Sequence, residues 1–262
     1  MRKVFAILIG CSALLWGCIG NFSEGERLFR AGNYQEAIDE FSKVLFLKVT
    51  DINTLHLRAR AYEEIKNWEK AEEDYRSILK LDPKHAQAFA GLGKINWEQE
   101  RYREAENFYL LAAKNDPEDF DILFQLGQAL LKNKKYHSAD EFLQLAKEIN
   151  DKHPLVYFYQ GMARSQIGDL LGAAGSFNMC LKYDPDNLVA VYNRGLVRMT
   201  IGYLSWAIED FDQVLAANPE HKEALARRGA AKKLLKDPTG CQDLLKAASK
   251  GSAFAQMQME NC

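Results

Sequence analysis

The chain has 262 residues, of which 47% are hydrophobic and 27% are charged, the balance of an ordinary globular protein that can bury a sizeable core. The net charge is −2, and Lys and Arg are mixed among Asp and Glu. This pattern argues against nucleic acid as a partner, because binding to phosphates needs clustered basic side chains. The chain has 6 prolines and no Ser/Gly/Pro-rich linker, so composition does not divide it.

The first 17 residues have the parts of a secretory leader. Arg2 and Lys3 form a short basic start, and an uncharged apolar run follows from Val4 to Gly17. This run is shorter than the roughly 20 residues that a membrane-spanning helix needs. The sequence therefore predicts a signal peptide over residues 1–17.

The leader ends in Leu15-Trp16-Gly17-Cys18, which resembles a bacterial lipobox. The resemblance implies cleavage before Cys18 and a diacylglycerol on its thiol. The alternative site is Cys11, after Leu8-Ile9-Gly10, but cleavage there leaves an apolar region of about half the usual length. The expected location is the bacterial cell envelope, with a lipid anchor in the membrane and the protein facing the periplasm or exterior. A secreted protein without lipid is the alternative.

The rest of the chain repeats with a period of 34 residues. Alanine recurs at this spacing six times, at Ala37, Ala71, Ala105, Ala139, Ala173 and Ala207. The seventh equivalent position is Cys241, another small residue. A second small residue lies 12 positions before each of these, at Gly25, Ala59, Gly93, Gly127, Gly161, Gly195 and Gly229. A large residue lies four positions after each, at Phe41, Tyr75, Tyr109, Leu143, Phe177, Phe211 and Leu245. An apolar period of 3.6, broken by a short polar turn, predicts two antiparallel helices in each unit.

The packing roles of these positions follow from their size. Small residues let the two helices of a unit approach closely. The large residue is expected to fill the space between successive units. Proline ends the second helix because it cannot continue the hydrogen-bond ladder, as at Pro83, Pro117, Pro185 and Pro219.

These residues resemble the tetratricopeptide repeat, which has the same period. The resemblance implies an all-α fold, a right-handed α-solenoid of stacked antiparallel helix hairpins. Six full repeats are predicted over residues 18–221, and a seventh partial repeat with a C-terminal capping helix over 222–262. The chain departs from the pattern at Val49 and Asp151, which replace the closing proline of repeats one and four.

In this family the first helix of each repeat lines a concave groove that binds partners. The resemblance places ten groove residues on this chain: Arg60, Lys94, Phe124, Phe158, Tyr159, Met162, Tyr192, Asn193, Leu196 and Met199. Repeats two and three are charged there, whereas repeats four to six are aromatic and rich in Met. Since a contiguous apolar patch often marks an interaction site, we expect an extended or helical apolar segment to dock on it. The alternative is that these side chains pack on neighbouring helices or cover the protein's own termini.

The C-terminal segment is predicted to be a cap. Asp237-Pro238 has the pattern of a helix start, and Gly251-Ser252 is expected to end that helix and open another that runs to Cys262. In such a hairpin Cys241 and Cys262 come back beside each other, which predicts a disulfide in an exported protein. The alternative is that Cys241 is only a small buried residue.

No pattern in the chain predicts catalysis. HExxH, CxxC and GxxxxGK[ST] are absent. His85, His153 and His221 recur every 68 residues, but they occupy separate turns and are interpreted as solvated residues rather than metal ligands. We therefore predict no enzyme, no catalytic residue, no metal and no cofactor.

The sequence predicts a scaffold or adaptor that holds a protein or peptide partner in its groove and is attached to the membrane through its N-terminal lipid. One alternative is a periplasmic or secreted module that binds peptides or glycans. Another is a structural protein that assembles with itself.

Overall fold

The computed structural model describes residues 20–259 and residue 262. Both candidate lipidation sites, Cys18 and Cys11, lie outside these residues. The described part of the chain is all-helical, as the sequence predicts. Its helices are α1 (Phe22–Arg30), α2 (Tyr34–Leu47), α3 (Ile52–Glu64), α4 (Trp68–Leu81), α5 (Ala86–Glu98), α6 (Tyr102–Asn115), α7 (Phe120–Lys132), α8 (Tyr136–Ile149), α9 (Pro154–Ile167), α10 (Leu170–Tyr183), α11 (Leu188–Thr200), α12 (Leu204–Ala217), α13 (Lys222–Leu234), α14 (Gly240–Ser249) and α15 (Ala253–Gln258).

The helices group into two compact units. Unit 1 ends at Pro117 and holds α1 to α6, and unit 2 begins at Glu118 and holds α7 to α15. Consecutive helices pair as hairpins within each unit. The first helices of successive repeats also contact one another, α1 to α3 to α5 in unit 1 and α7 to α9 to α11 to α13 in unit 2. Each unit therefore has a layer built from first helices.

Short polar side chains start most of the first helices. Asp119 accepts a hydrogen bond from the backbone N–H of Ile122, and Asn187 accepts one from Ala190. These bonds satisfy amides that have no partner inside the helix. His85 and His221 act in the same way, since Nδ1 of each accepts the N–H of the residue three positions on. Both side chains are half-buried, so these turn residues are only partly solvated and also act as helix caps.

The small and large repeat positions meet within one hairpin. A Cβ atom at Gly161 would lie 2.8 Å from two ring atoms of Phe177, and one at Gly25 would lie 2.5 Å from Phe41. In these repeats the large residue packs over the small residue of its own repeat, so filling the space between successive repeats is only part of its role. In repeat seven the predicted Leu245 is exposed, and the neighbouring Leu244 packs against Gly229 instead. Tyr75 does reach the next repeat, where its ring lies against Gly91.

The turn inside each hairpin has a fixed backbone conformation. Seven positions spaced 34 residues apart have a positive φ between 58° and 87°. Glycine holds three of them, and four carry a side chain: Gly32, Lys66, Glu100, Lys134, Gly168, Gly202 and Lys236. The hairpin geometry thus imposes a left-handed residue whatever side chain is present.

The C-terminal cap differs in detail from its prediction. α14 begins at Gly240 instead of Pro238, because Oδ1 of Asp237 accepts hydrogen bonds from the backbone and hydroxyl of Thr239 in a preceding turn. α15 ends at Gln258, short of Cys262. Cys241 and Cys262 are joined in the structure, with their Cα atoms 5.5 Å apart.

None of the helices in residues 20–259 is both long and apolar enough to cross a membrane.

Candidate functional site

Unit 2 carries a cluster of aromatic rings at the start of its first-helix layer. We call Phe120, Phe124, His153, Phe158 and Tyr159 the aromatic face. The rings of Phe120 and Phe124 are stacked one helical turn apart on α7, with centroids 5.8 Å apart. Phe124 also meets Tyr159 of α9 edge-on at 5.6 Å, and Tyr159 meets Phe158 at 5.3 Å. Two consecutive repeats therefore present one continuous aromatic surface.

His153 lies between the helices of this face. Its ring centroid is 5.0 Å from that of Phe120 and 5.3 Å from that of Phe124. Unlike His85 and His221 it makes no side-chain cap, and its buried Nδ1 has no hydrogen-bond partner among the described residues. A buried polar atom without a partner is costly. Because Nδ1 is inaccessible to solvent, the accessible part of the face consists of ring surface.

The rings of the aromatic face are only partly available to a ligand. Phe120, Phe124, Phe158 and Tyr159 are half-exposed. Phe158 also packs edge-on against the buried Phe177, with centroids 6.0 Å apart. Phe158 therefore serves the core as well, whereas Phe124 and Tyr159 make their ring contacts with other members of the face.

Tyr192 belongs to a second cluster farther along the layer. Its ring lies 5.3 Å from His221 and 5.9 Å from the buried Phe211. Burial raises the pKa of its hydroxyl, which the neighbouring Arg227 partly offsets. Tyr192 is thus anchored between α12 and α13, and its ring contacts lie apart from the aromatic face.

The other predicted groove residues of unit 2 lie on the same helices without joining either cluster. Met162 is exposed on α9, and Leu196 and Met199 are half-exposed on α11. The amide nitrogen of Asn193 donates to the carbonyl oxygen of Val189 one turn before it. These residues give the layer an apolar character between the two clusters.

The charged groove residues of unit 1 already have partners. Nζ of Lys94 is 2.7 Å from Oε2 of Glu63, whose other oxygen accepts a hydrogen bond from the hydroxyl of Tyr75. The guanidinium of Arg60 lies 5.2 Å from the ring centroid of Phe29. Since Glu63 is buried, Lys94 neutralises it and is not a free cation for a ligand carboxylate.

Sequence reasoning missed two members of the aromatic face. Phe120 precedes Phe124 by one helical turn, a spacing that places both on one side of α7. His153 was interpreted as a solvated residue because it occupies a turn between repeats. The N–H of Val156 donates to the backbone oxygen of His153 instead of to its ring, and the ring packs against Phe120 and Phe124, which sequence spacing does not reveal.

The described residues contain no group of three or more His, Cys, Asp or Glu side chains arranged to hold a metal ion. The first-helix layer of unit 2 thus presents a partly exposed surface of aromatic rings and apolar side chains.

Two segments of the chain match family models, both described as tetratricopeptide repeat, over residues 56–120 and 108–141. Among curated proteins, the chain is 35% identical over 74 residues to the CTR9 homolog of Arabidopsis thaliana, and 30% identical over 71 residues to the human mitochondrial import receptor subunit TOM70. These regions cover 28% and 25% of this chain but only 7% and 12% of those relatives.

Solved structures match much more of the chain. YrrB, described as a TPR protein with an unusual peptide-binding site, is 28% identical with a TM-score of 0.67, over 71% of this chain and 95% of YrrB. The C-terminal part of a TPR repeat-containing protein from Cytophaga hutchinsonii is 17% identical with a TM-score of 0.70, over 92% and 100% of the two chains. PilF of Pseudomonas aeruginosa is 20% identical with a TM-score of 0.65, over 76% and 90%. The last two show the fold alone, and the two family models identify tetratricopeptide repeats within residues 56–141.

Proposed function

We propose that this protein is a lipid-anchored scaffold of the bacterial cell envelope that binds an apolar segment of a partner protein on the aromatic face of unit 2. The observation that carries the binding proposal is the contact between Phe124 and Tyr159, which joins half-exposed rings of two successive repeats. Apolar side chains of a partner would move out of water and pack against these rings, which is favourable. The peptide-binding site described for YrrB, a protein of the same fold, supports the choice of a peptide.

The anchoring proposal depends on Cys18 and its lipobox-like context. Diacylglycerol on Cys18 would hold the chain at a membrane, and a repeat array is suited to presenting a binding surface there. Radiolabelled palmitate incorporation in a bacterial host tests this proposal, with Cys18→Ala as the control. Labelling that persists in Cys18→Ala and disappears in Cys11→Ala would move the anchor to Cys11, and no labelling would reject it.

The binding proposal is tested by selecting binders from a displayed library of random 12- to 16-residue peptides, with lengths chosen to cover about four helical turns. The affinity of a selected peptide is then measured for the wild type and for Phe124→Ser/Tyr159→Ser. We expect at least about a tenfold loss of affinity, since two aromatic contacts are removed. Trp206→Ser is the matched control, because Trp206 is an exposed aromatic residue of unit 2 on a second helix.

Equal affinity in Phe124→Ser/Tyr159→Ser and the wild type would reject this surface. A library that yields no binder, together with saccharides retained on a glycan array, would favour the glycan-binding alternative. Light scattering of the purified protein at increasing concentration tests the other alternative, self-assembly.

A further inference from the structure

The end of α2 exposes three large apolar side chains within four residues. We call Phe46, Leu47 and Val49 the apolar tip; they are 83%, 61% and 70% exposed. Val49 stands where other repeats have their closing proline. Phe46 and Val49 also border a shallow pocket of about 350 Å³ whose apolar wall includes Leu45 and Leu55. Exposed apolar side chains this close together mark a contact surface.

The start of the described chain lies against the same helix. The N–H of Asn21 donates to Oε2 of Glu40, and a Cβ atom at Gly20 would lie 2.6 Å from Cβ of Lys43. Glu40, Lys43 and Leu47 share one face of α2, because residues three and four apart are neighbours on a helix. Leu47 thus lies one turn, about 5.4 Å, beyond the place where Gly20 contacts the helix.

Covalent geometry then limits how far the lipid can be from the tip. Cys18 is two residues from Gly20, and two extended residues span at most about 7 Å. An acyl group on Cys18 therefore enters the membrane within a short distance of Leu47. The described chain thus begins against α2, the helix that carries the apolar tip.

From this proximity we infer that the apolar tip inserts into the lipid surface beside the anchored N-terminus and fixes the orientation of the first repeat at the membrane. The inference rests on the proposed lipidation of Cys18. The acyl chains hold the protein at the bilayer, but attachment through a single residue leaves the protein free to rotate about that point. Three apolar side chains at the headgroup boundary remove that freedom. The exposed Lys48 lies between Leu47 and Val49, where its ammonium can meet anionic headgroups while its stem stays with the apolar residues.

The experiment uses the full-length lipidated protein in vesicles of phosphatidylethanolamine and phosphatidylglycerol, with and without lipids brominated on the acyl chains. Tryptophan emission is quenched by bromine only at short range. Phe46→Trp places a reporter at the tip, and Ile65→Trp is the matched control. Ile65 is also exposed in unit 1 but follows the C-terminal end of α3, at the opposite end of its hairpin. The native Trp68, Trp97 and Trp206 give a background that is measured in the wild type and subtracted.

We expect brominated vesicles to quench about half of the emission added by Phe46→Trp, as for a side chain at the headgroup–acyl boundary, and almost none of that added by Ile65→Trp. Absence of quenching in Phe46→Trp, with palmitate labelling and vesicle flotation intact, overturns the tip proposal and leaves the anchor standing. A tip that binds a protein instead of lipid would give this result. Equal quenching in both variants also overturns the proposal, because the protein would then contact lipid without a preferred orientation.

Loss of palmitate labelling is a separate result that rejects the anchor. The reporter is still read in that case with the unlipidated chain. Quenching of Phe46→Trp would then support lipid contact by the tip alone, and its absence would overturn it. Circular dichroism of both variants checks that helicity is unchanged, which is expected because both side chains are exposed.

Discussion

Arg194 on α11 is paired with Asp210 on α12, its Nη2 lying 2.6 Å from Oδ1, and the same guanidinium reaches back to Asn178 on α10 at 2.9 Å. The two partners lie 16 residues after and 16 residues before the arginine. Equivalent arginines in two other repeats bond in both directions as well: Arg58 to Asp74 and Ser42, and Arg228 to Asp243 and Asp212. Each of these side chains ties the second helices of two successive repeats together.

The buried carboxylate of this pair should be essential for stability. Asp210 is 2% exposed and also accepts a hydrogen bond from Arg198. Asp210→Ala leaves two half-buried arginines without their partner, and we expect a loss of about 3 kcal/mol in the free energy of unfolding. Chemical denaturation measures it. Glu72→Ala, which breaks the exposed pair with Arg76, is the control and should leave the midpoint unchanged. Equal effects of the two changes would contradict a special role for Asp210.

Two glycines of one hairpin should respond to alanine in opposite directions. Gly161→Ala places a methyl group 2.8 Å from the buried ring of Phe177, and we expect a loss of about 1–3 kcal/mol from overpacking. Gly175 on α10 has open space within 4 Å of the point where a methyl group would lie, so Gly175→Ala should gain up to about 1 kcal/mol from helix propensity. The thermal midpoints of both variants test the pair. A stabilised Gly161→Ala would show that the helices of this hairpin can move apart at little cost.

Substitutions at the left-handed turn position are a second pair that should change stability in opposite directions. Glu100 has φ of 59°, a conformation that costs a residue with a side chain about 1–2 kcal/mol. Glu100→Gly should therefore stabilise the protein by about 0.5–1 kcal/mol after the entropy cost of glycine is subtracted. Gly202→Ala, at the equivalent turn of a later repeat, should destabilise it by about 1 kcal/mol. Thermal unfolding of both variants measures the two effects. Destabilisation by Glu100→Gly would mean that the Glu side chain makes a compensating contact.

His56 should make stability depend on pH. Burial, with smaller contributions from His85 and Arg60, lowers the pKa of His56 to about 4 from its usual value of 6.5. The unfolded chain therefore binds the proton first as pH falls. The stabilisation is fully present above about pH 6.5 and declines down to about pH 4, with a slope of at most about 1.4 kcal/mol per pH unit. The difference between wild type and His56→Gln, measured by denaturation from pH 4 to 7.5, isolates this contribution. If the stabilities of wild type and His56→Gln change in parallel over this pH range, His56 makes no pH-dependent contribution.

The cysteines of unit 2 should differ in reactivity. Burial raises the pKa of the Cys180 thiol to about 11, so iodoacetamide should leave it unmodified in the native protein at pH 8. Cys241 and Cys262 should appear as one linked peptide pair in a non-reducing tryptic digest of protein from the native compartment, and both should react after reduction. Cys262→Ser is expected to cost about 3 kcal/mol, because the bond closes a loop of 21 residues. Free thiols at both positions would rule the bond out.

The fold could be predicted from the sequence because its main signal is local and repeated. The 34-residue spacing of Ala37, Ala71 and their equivalents reports helix–helix contact directly, since only a small side chain allows that approach. Part of the aromatic face followed from the same spacing, which placed Phe124 and Tyr159 on first helices. His153 could not be assigned this way, because its neighbours come from α7 and its missing hydrogen bond depends on the exact turn before Pro154.

The sequence by itself determined the all-helical repeat, the hairpins and the positions of the small residues, because each depends on residue size and on periods of 3.6 and 34 that any equivalent repeat must keep. The tertiary structure decided which chemically similar residues differ in environment. It paired Lys94 with the buried Glu63 and gave Glu100 the left-handed φ that glycine adopts most easily. It also left Phe46 and Leu47 exposed at the end of the helix that Gly20 contacts. The reason is that burial, charge pairing and exposure depend on distances between helices far apart in sequence, and a local pattern does not contain those distances.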